Sequence, residues 1–157
     1  MRLDRAWIEQ HVPHRGRMCL LEEVRSWDAI HVECATRTHL AADHPLRAHG
    51  RLGAGCGLEY AAQAMAVHGA LLDPAAGSAD TFGLLSSARE LEFYVVRLDD
   101  LAGELLVRGA RLHAAADGAL YEFSLWHAQR LLAQGRASLW FGSRPRAARD
   151  AADRAGQ

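Results

Sequence analysis

The sequence contains no lysine, since all 18 of its basic residues are arginines. This absence excludes a Schiff-base lysine and the lysine of a Walker-type phosphate-binding loop. Asparagine is also absent, which excludes any catalytic role that needs its side-chain amide. Cysteine occurs only at positions 19, 34 and 56. This odd number and scattered placement predict reduced thiols in a cytoplasmic protein.

Long apolar runs and a strong net charge are missing as well. No stretch approaches the roughly 18 consecutive apolar residues of a membrane span, and the opening MRLDRAWIEQ lacks the apolar core of a signal peptide. We therefore expect no membrane span and a cytoplasmic location. The formal net charge of −1 argues against nucleic acid as a partner. The chain has 157 residues, 50% of them hydrophobic, which is enough for one domain with a sizeable core.

The first half of the chain alternates between helical and extended patterns. The long helix predicted there is apolar nearly all round, which indicates that it is largely buried. The predicted elements are a short helix over residues 4–11, strands over 18–24 and 30–38 with a turn at 26–28, a loop over 39–53, and the long helix over 57–72.

The second half is predicted to be mostly strand, after a loop over 73–80. Alternating segments cover 91–95, 103–113, 121–125 and 131–141, with a hairpin turn at 117–118. One buried helix with about five or six antiparallel strands predicts an α+β domain over residues 1–142, in which a curved sheet wraps around the helix. Its open sheet edge predicts a dimer. Residues 143–157 are predicted to form a polar tail, frayed or disordered.

Glu59 is the most informative residue of the long helix. A buried carboxylate must be paired or protonated, because burying it alone costs several kcal/mol. Gln63 lies one turn further along the same face. Exposure of Glu59 to solvent at the helix start, where the helix dipole favours a carboxylate, is an equally good interpretation of its position alone.

The loop before this helix supplies candidate bases and backbone donors. Histidine is the natural general base near neutral pH, which makes His44 and His49 candidates. Glycines at the helix entry, Gly55 and Gly57 among them, would let a ligand approach backbone N–H groups and polarise a carbonyl oxygen. The loop histidines have no spacing typical of a metal site, so no metal is expected. Cys56 is interpreted as a buried thiol rather than a nucleophile.

Three stretches together resemble the β-hydroxyacyl-acyl-carrier-protein dehydratases of the FabA/FabZ type, which have the hotdog fold. They are VPHRGRMCLLEEV at 12–24, Asp43-His44-Pro45, and EYAAQA at 59–64. Their order matches that of the family, and the resemblance covers about residues 10–141. The subgroup most similar to the chain is that of the dehydratase-like proteins of aryl-polyene gene clusters.

The resemblance implies an activity that needs no cofactor: dehydration of 3-hydroxyacyl thioesters on acyl carrier protein to trans-2-enoyl thioesters, in fatty acid or polyene-type lipid biosynthesis. His44 would be the base that removes a proton from the carbon next to the thioester, with His49 as the alternative base. Glu59 would protonate the departing hydroxyl. The substrate-binding set would be Gly55 and Gly57, whose amides would bind the thioester oxygen, with Gln63 and His49.

The same resemblance implies partners. In this family the base and the acid of one site come from different subunits, so we expect a homodimer or a heterodimer with another hotdog chain. Carrier proteins are acidic, which gives surface arginines such as Arg89, Arg97 and Arg144 a role in docking. A hotdog acyl thioesterase, in which Glu59 activates water or attacks the thioester, and a non-catalytic partner of an active dehydratase are the alternative functions. A basic patch at Arg144, Arg146 and Arg149 could also meet an acidic partner.

Overall fold

The computed structural model describes residues 1–74 and 81–143. Of the tail predicted over 143–157, only residue 143 is described, and residues 144–157 lie outside the described part of the chain. In the described part, the α-helices are α1 (Arg5–His11) and α2 (Gly57–Leu72). The strands are β1 (Leu3–Asp4), β2 (Glu23–Trp27), β3 (His31–Thr36), β4 (Thr81–Phe93), β5 (Leu105–Ala115), β6 (Gly118–His127) and β7 (Arg130–Ser143).

All seven strands form one antiparallel sheet in the order β1-β2-β3-β5-β6-β7-β4. Alternate residues along the central strands are buried, as in Val107 of β5 and Leu125 of β6, and they pack with Tyr60 and Met65 of α2 in one core. This confirms the predicted α+β class and the hotdog arrangement of a sheet around one long helix. In residues 1–74 and 81–143, no helix is long and apolar enough to cross a bilayer.

The long helix spans residues 57–72, as predicted, and the first residue shows why it begins there. A Cβ atom added at Gly57 would lie 2.8 Å from Cδ2 of the buried Leu125. Glycine at this position therefore lets the start of α2 approach the sheet. The short helix α1 begins after Asp4, whose carboxylate accepts a hydrogen bond from the Trp7 amide at 3.0 Å.

The prediction of a strand over residues 18–24 is wrong, since β2 begins only at Glu23. Glu22 still donates its amide to the Ala35 carbonyl of β3, but at Leu20 the backbone bonds to side chains instead of to a neighbouring strand. The Leu20 amide donates to the Gln63 side chain at 2.9 Å, and the Leu20 carbonyl accepts from the Thr38 hydroxyl at 2.7 Å. The turn also moves from 26–28 to follow Asp28, whose carboxylate accepts the amides of Ile30 and His31.

Two histidines lie wholly inside this fold. The ring of His68, on α2, is hydrogen bonded to the Tyr121 hydroxyl and to the Asp28 carbonyl, both at 2.8 Å. The ring of His39 is hydrogen bonded to the Leu101 carbonyl at 2.8 Å. Burial lowers the pKa of both imidazoles, so both are neutral in the folded protein.

We predict that these histidines make the free energy of unfolding depend on pH. Below the unfolded value of about 6.5, the unfolded chain binds protons that the folded chain excludes, so stability falls as the pH drops. Denaturation in urea at about pH 7.5 and about pH 5.5 should show a loss of up to about 1.4 kcal/mol per pH unit for each histidine. H68Q should flatten this slope, and a stability that does not change between the two pH values would contradict the prediction.

Candidate active site

Glu59 lies in the first turn of α2 and is held by a histidine from another part of the chain. Its Oε1 atom is 3.3 Å from Nε2 of His14, which follows α1. The side chains of Glu59 and His14 are 34% and 25% exposed, so the pair is half-buried. The hydrogen bond from His14 lowers the pKa of Glu59, against the opposing effect of burial. In the single protomer this carboxyl is therefore an ionised, partly accessible group.

Gln63 lies one turn beyond Glu59 and fastens the segment before β2 to the helix. Its Oε1 accepts from the Leu20 amide at 2.9 Å, and its Nε2 donates to the Met18 carbonyl at 2.7 Å. A longer contact of 3.5 Å joins the same Nε2 to Oε1 of Glu59. The side chain is wholly buried, and all three bonds stay inside the protein. Gln63, predicted as a substrate-binding residue, thus has a structural use that occupies its amide.

His44 is buried in its own protomer, with both ring nitrogens in use. Its Nδ1 accepts from the Leu46 amide at 3.1 Å, so in the neutral ring Nε2 carries the hydrogen and donates to the Tyr60 hydroxyl at 2.9 Å. Tyr60 in turn donates to Thr38 at 2.7 Å, and Thr38 donates to the Leu20 carbonyl. Burial lowers the pKa of His44 and keeps the ring neutral.

His49, the alternative base, stands in a different environment. It is exposed at the tip of a tight turn in which Ala48 and Arg51 pair, with φ of 53° at His49 and 73° at Gly50. Positive φ at both central residues is typical of a type I′ turn. In the described part of the chain the His49 side chain makes no hydrogen bond, so its ring is open to solvent.

The glycines at the helix entry differ in what their amides do. The Gly57 amide donates to the Ala54 carbonyl, inside the turn that leads into α2. Within residues 1–74 and 81–143, the Gly55 amide finds no hydrogen-bond acceptor. Of the two predicted oxyanion donors, Gly55 is therefore the one that is free to bind a ligand oxygen.

A buried carboxylate fixes the loop that carries these groups. The Asp99 side chain is 4% exposed and pairs with Arg47 at 3.3 Å and with Arg97. It also accepts the Leu52 amide at 3.0 Å, and the hydrogen bonds from Arg97 and from the Leu52 amide hold the pKa of Asp99 well below its usual range. Arg97, predicted as a docking residue for carrier protein, is thus occupied in holding the loop. Arg144, Arg146 and Arg149 lie outside the described residues.

The structure brings Glu59 and Gln63 together, and it adds His14, to which the sequence assigned no role. It does not bring Glu59 into contact with His44 within one protomer. His14 stands in the stretch VPHRGRM that supports the family resemblance. This stretch was the one signal that pointed to it, because nothing in the spacing relates His14 to a helix so much later in the chain.

Other candidate sites lack accessible chemistry. Cys56, predicted as a buried thiol, is only half-buried, and this partial burial raises the pKa of its thiol. Among the described residues, no cluster of three or more His, Cys, Asp or Glu side chains could hold a metal ion. A groove of about 520 Å³ lies on the face of the sheet opposite α2. Its arginines already pair with carboxylates, Arg108 with Glu33 at 2.7 Å and Arg136 with Glu122 at 3.2 Å.

We predict that Q63E destabilises the protein by about 2–3 kcal/mol, because an acceptor replaces the donor that faces Met18 and a second carboxylate meets Glu59. Urea denaturation at neutral pH measures the loss. Q129E, at an exposed position in the β6–β7 turn, is the matched control and should change stability little. Equal stability of the two variants would show that the Gln63 amide does not hold the segment before β2.

Comparison with known proteins places this chain in a family. The sequence model of the ApeP-like family, described as ApeP dehydratase, matches residues 6–148. The dehydratase heterocomplex ApeI:P from Xenorhabdus doucetiae contains a chain of similar structure, with a TM-score of 0.75 and 21% identity, over 89% of this chain and 92% of that one. None of the curated proteins matches the sequence.

Other solved structures share the fold at lower similarity. A mutant thioesterase from Pseudomonas aeruginosa superposes with a TM-score of 0.56 and 11% identity, covering 79% of this chain and 82% of that one. The PaaI protein of Escherichia coli gives a TM-score of 0.53 and 17% identity, over 74% and 80% of the two chains. At these identities the likeness is one of fold alone. The match to the family sequence model extends over most of the chain, and the protein belongs to the ApeP-like dehydratase family.

Proposed function

We propose that the protein dehydrates 3-hydroxyacyl thioesters carried on acyl carrier protein to trans-2-enoyl thioesters, in fatty acid or polyene-type lipid biosynthesis. The observation that carries this proposal is Glu59: a half-buried carboxyl in the first turn of a buried helix, tethered by His14 and Gln63 in a member of a dehydratase family. A positioned and partly accessible carboxyl suits proton transfer to a leaving hydroxyl.

The proposed reaction moves one proton off the substrate and one onto it. A base takes a proton from the carbon next to the thioester, a carbon–carbon double bond forms, and the hydroxyl leaves with a proton from Glu59 as water. The free Gly55 amide would stabilise the negative charge that develops on the thioester oxygen. Since Glu59 is ionised in the protomer, it must first take up a proton, which the dry environment under an acyl chain favours.

The base is proposed to be His44 of a second subunit, with His49 as the alternative. His44 must give up its bond to Leu46 to accept a proton, because its other nitrogen already carries one. His49 needs no such change, since its ring is exposed.

We predict that E59Q lowers the rate of enoyl formation by about 10²–10⁴-fold, because glutamine cannot donate the proton to the leaving hydroxyl. The assay mixes purified protein with 3-hydroxyacyl carrier protein and follows the conjugated thioester by its absorbance. H113A, at an exposed position on β5, is the matched control. Release of free thiol without enoyl product would show a thioesterase, and wild-type activity in E59Q would remove Glu59 from the mechanism.

The second subunit is proposed to sit on exposed apolar side chains of β4 and of the segment that follows it, which we call the β4 surface. It comprises Leu84, Leu85, Leu91, Phe93, Tyr94 and Val96, all of them exposed. Since β4 ends the sheet, its outer edge pairs with no other described strand. An exposed edge strand with apolar side chains favours pairing with another chain. A homodimer, or a heterodimer with a second hotdog chain, would cover this surface.

We predict that V96D breaks this assembly. The Val96 side chain is 85% exposed in the protomer, so aspartate there costs the single chain little and acts only where another chain covers it. Light scattering after size exclusion should show the mass of V96D fall to that of one chain, while L112D, on β5, keeps the wild-type mass. If wild type is itself a monomer, the same comparison applies to its complex with a second hotdog chain, and an intact complex with V96D would contradict the proposed surface.

Mixing two inactive variants tests whether the base and the acid come from different subunits. In a homodimer, H44Q and E59Q chains together form one intact site per mixed dimer, so about a quarter of wild-type activity should return in an equimolar mixture. H49A in place of H44Q tests the alternative base. No recovery in either mixture, with an active wild type, would contradict a site shared between subunits.

A non-catalytic role beside an active hotdog subunit is the second candidate function. The saturation of both His44 nitrogens inside its own protomer favours it. In that case the chain alone is inactive, and E59Q leaves the activity of the assembled complex unchanged.

A further inference from the structure

The site contains an imidazole that the proposed reaction does not use. His14 lies in the segment between α1 and β2, and Gln63 holds that segment against α2 through Met18 and Leu20. The guanidinium of Arg15 spans the carbonyls of Val12 and His14. His14 is thus fixed on both sides by hydrogen bonds, and its ring is directed at a carboxyl.

The hydrogen bonds of Glu59 identify His14 as its principal donor. Nε2 of His14 is 3.3 Å from Glu59 Oε1. The Gln63 amide is 3.5 Å from the same oxygen and makes a much shorter bond, of 2.7 Å, to the Met18 carbonyl. A carboxylate only accepts hydrogen bonds, so Nε2 of His14 carries the hydrogen. Among the described residues, the buried Nδ1 of His14 has no partner, and the ring has no competing bond.

We propose that His14 is the positioning residue of Glu59: its Nε2–H orients the carboxyl for proton transfer to the bound substrate and stabilises its ionised form. This inference rests on the proposed function, in which Glu59 meets the substrate. The pairing lies within one protomer, whereas the proposed base comes from a second subunit. Each chain would therefore carry its acid together with the group that controls it.

The proposal makes a definite statement about protonation. The groups that face Glu59 are the imidazole of His14, from the segment after α1, and the neutral amide of Gln63, from α2 itself. Removing the His14 donor takes away the main stabilisation of the carboxylate, so the pKa of Glu59 must rise. Any step that depends on the protonation of Glu59 then shifts to higher pH.

The test is an NMR titration of the glutamate side-chain carboxyl carbons in the full-length protein, with the Glu59 signal assigned by its loss in E59Q. We compare wild type with H14L, which has no donor, and with H14Q, whose amide places a neutral donor near the position of Nε2. The Glu59 midpoint should move to higher pH in H14L and less far in H14Q. H113A should leave it in place.

The imidazole nitrogens report the same contact from the other side and need no change at position 14. In wild type, the nitrogen spectrum of His14 should show hydrogen on Nε2, and the Nε2 signal should move in E59Q. This measurement replaces the titration if H14L does not fold. An unchanged Glu59 midpoint in folded H14L, or a His14 spectrum unaffected by E59Q, overturns the proposal.

Measurements of dehydratase activity show whether the role of His14 and the proposed function stand or fail independently. In the dehydratase assay, H14L should lower kcat by about tenfold to a hundredfold, through misplacement of Glu59, and change KM little. The limb of the pH profile that reports Glu59 should move to higher pH, and H14Q should recover part of the rate. If the NMR shifts appear but wild type forms no enoyl product, the His14–Glu59 pairing is supported and the proposed dehydratase function is contradicted.

Discussion

The constraint that organises this molecule is the burial of α2, a helix with only four polar side chains. Each of the four has to find a partner inside the protein, because a buried polar group without one costs about 1–3 kcal/mol. His68 reaches the β2–β3 turn and β6, and Tyr60 reaches the loop histidine His44. Gln63 and Glu59 reach the segment before β2. The helix thereby fixes the irregular segments around it as well as filling the core.

The burial of α2 also decides which of its polar side chains remain available for a reaction. Tyr60, Gln63 and His68 are buried, and their polar atoms make hydrogen bonds that hold the fold together. Glu59 alone of the four remains partly exposed, with a hydrogen-bonded imidazole behind it and a free amide at Gly55 nearby in the chain. Asp99 holds the loop in place together with two arginines. A rigid surrounding and one accessible carboxyl are what proton transfer to a bound acyl chain requires.

The sequence predicted what depends on local pattern. A run of residues that is apolar nearly all round located α2 at its observed bounds, and alternation located β3 and β5 to β7. The alternation predicted over 91–95 marks only the end of β4, which spans Thr81–Phe93. The sequence misplaced β2, because the backbone at Leu20 bonds to the Gln63 side chain, a contact that no local pattern reveals. It missed His14 for the same reason. The roles of His44, Glu59 and Gly55 stay predictions, since they depend on a second subunit and a substrate.

The most direct test of the account is a crystal structure of the assembled protein with a stable amide analogue of a 3-hydroxyacyl pantetheine thioester. The account predicts the substrate hydroxyl about 3 Å from a Glu59 oxygen and the analogue carbonyl at the Gly55 amide, with the acyl chain running along α2. An acyl chain bound in the polar groove on the opposite face of the sheet, or a Glu59 carboxyl turned into bulk solvent, would contradict it.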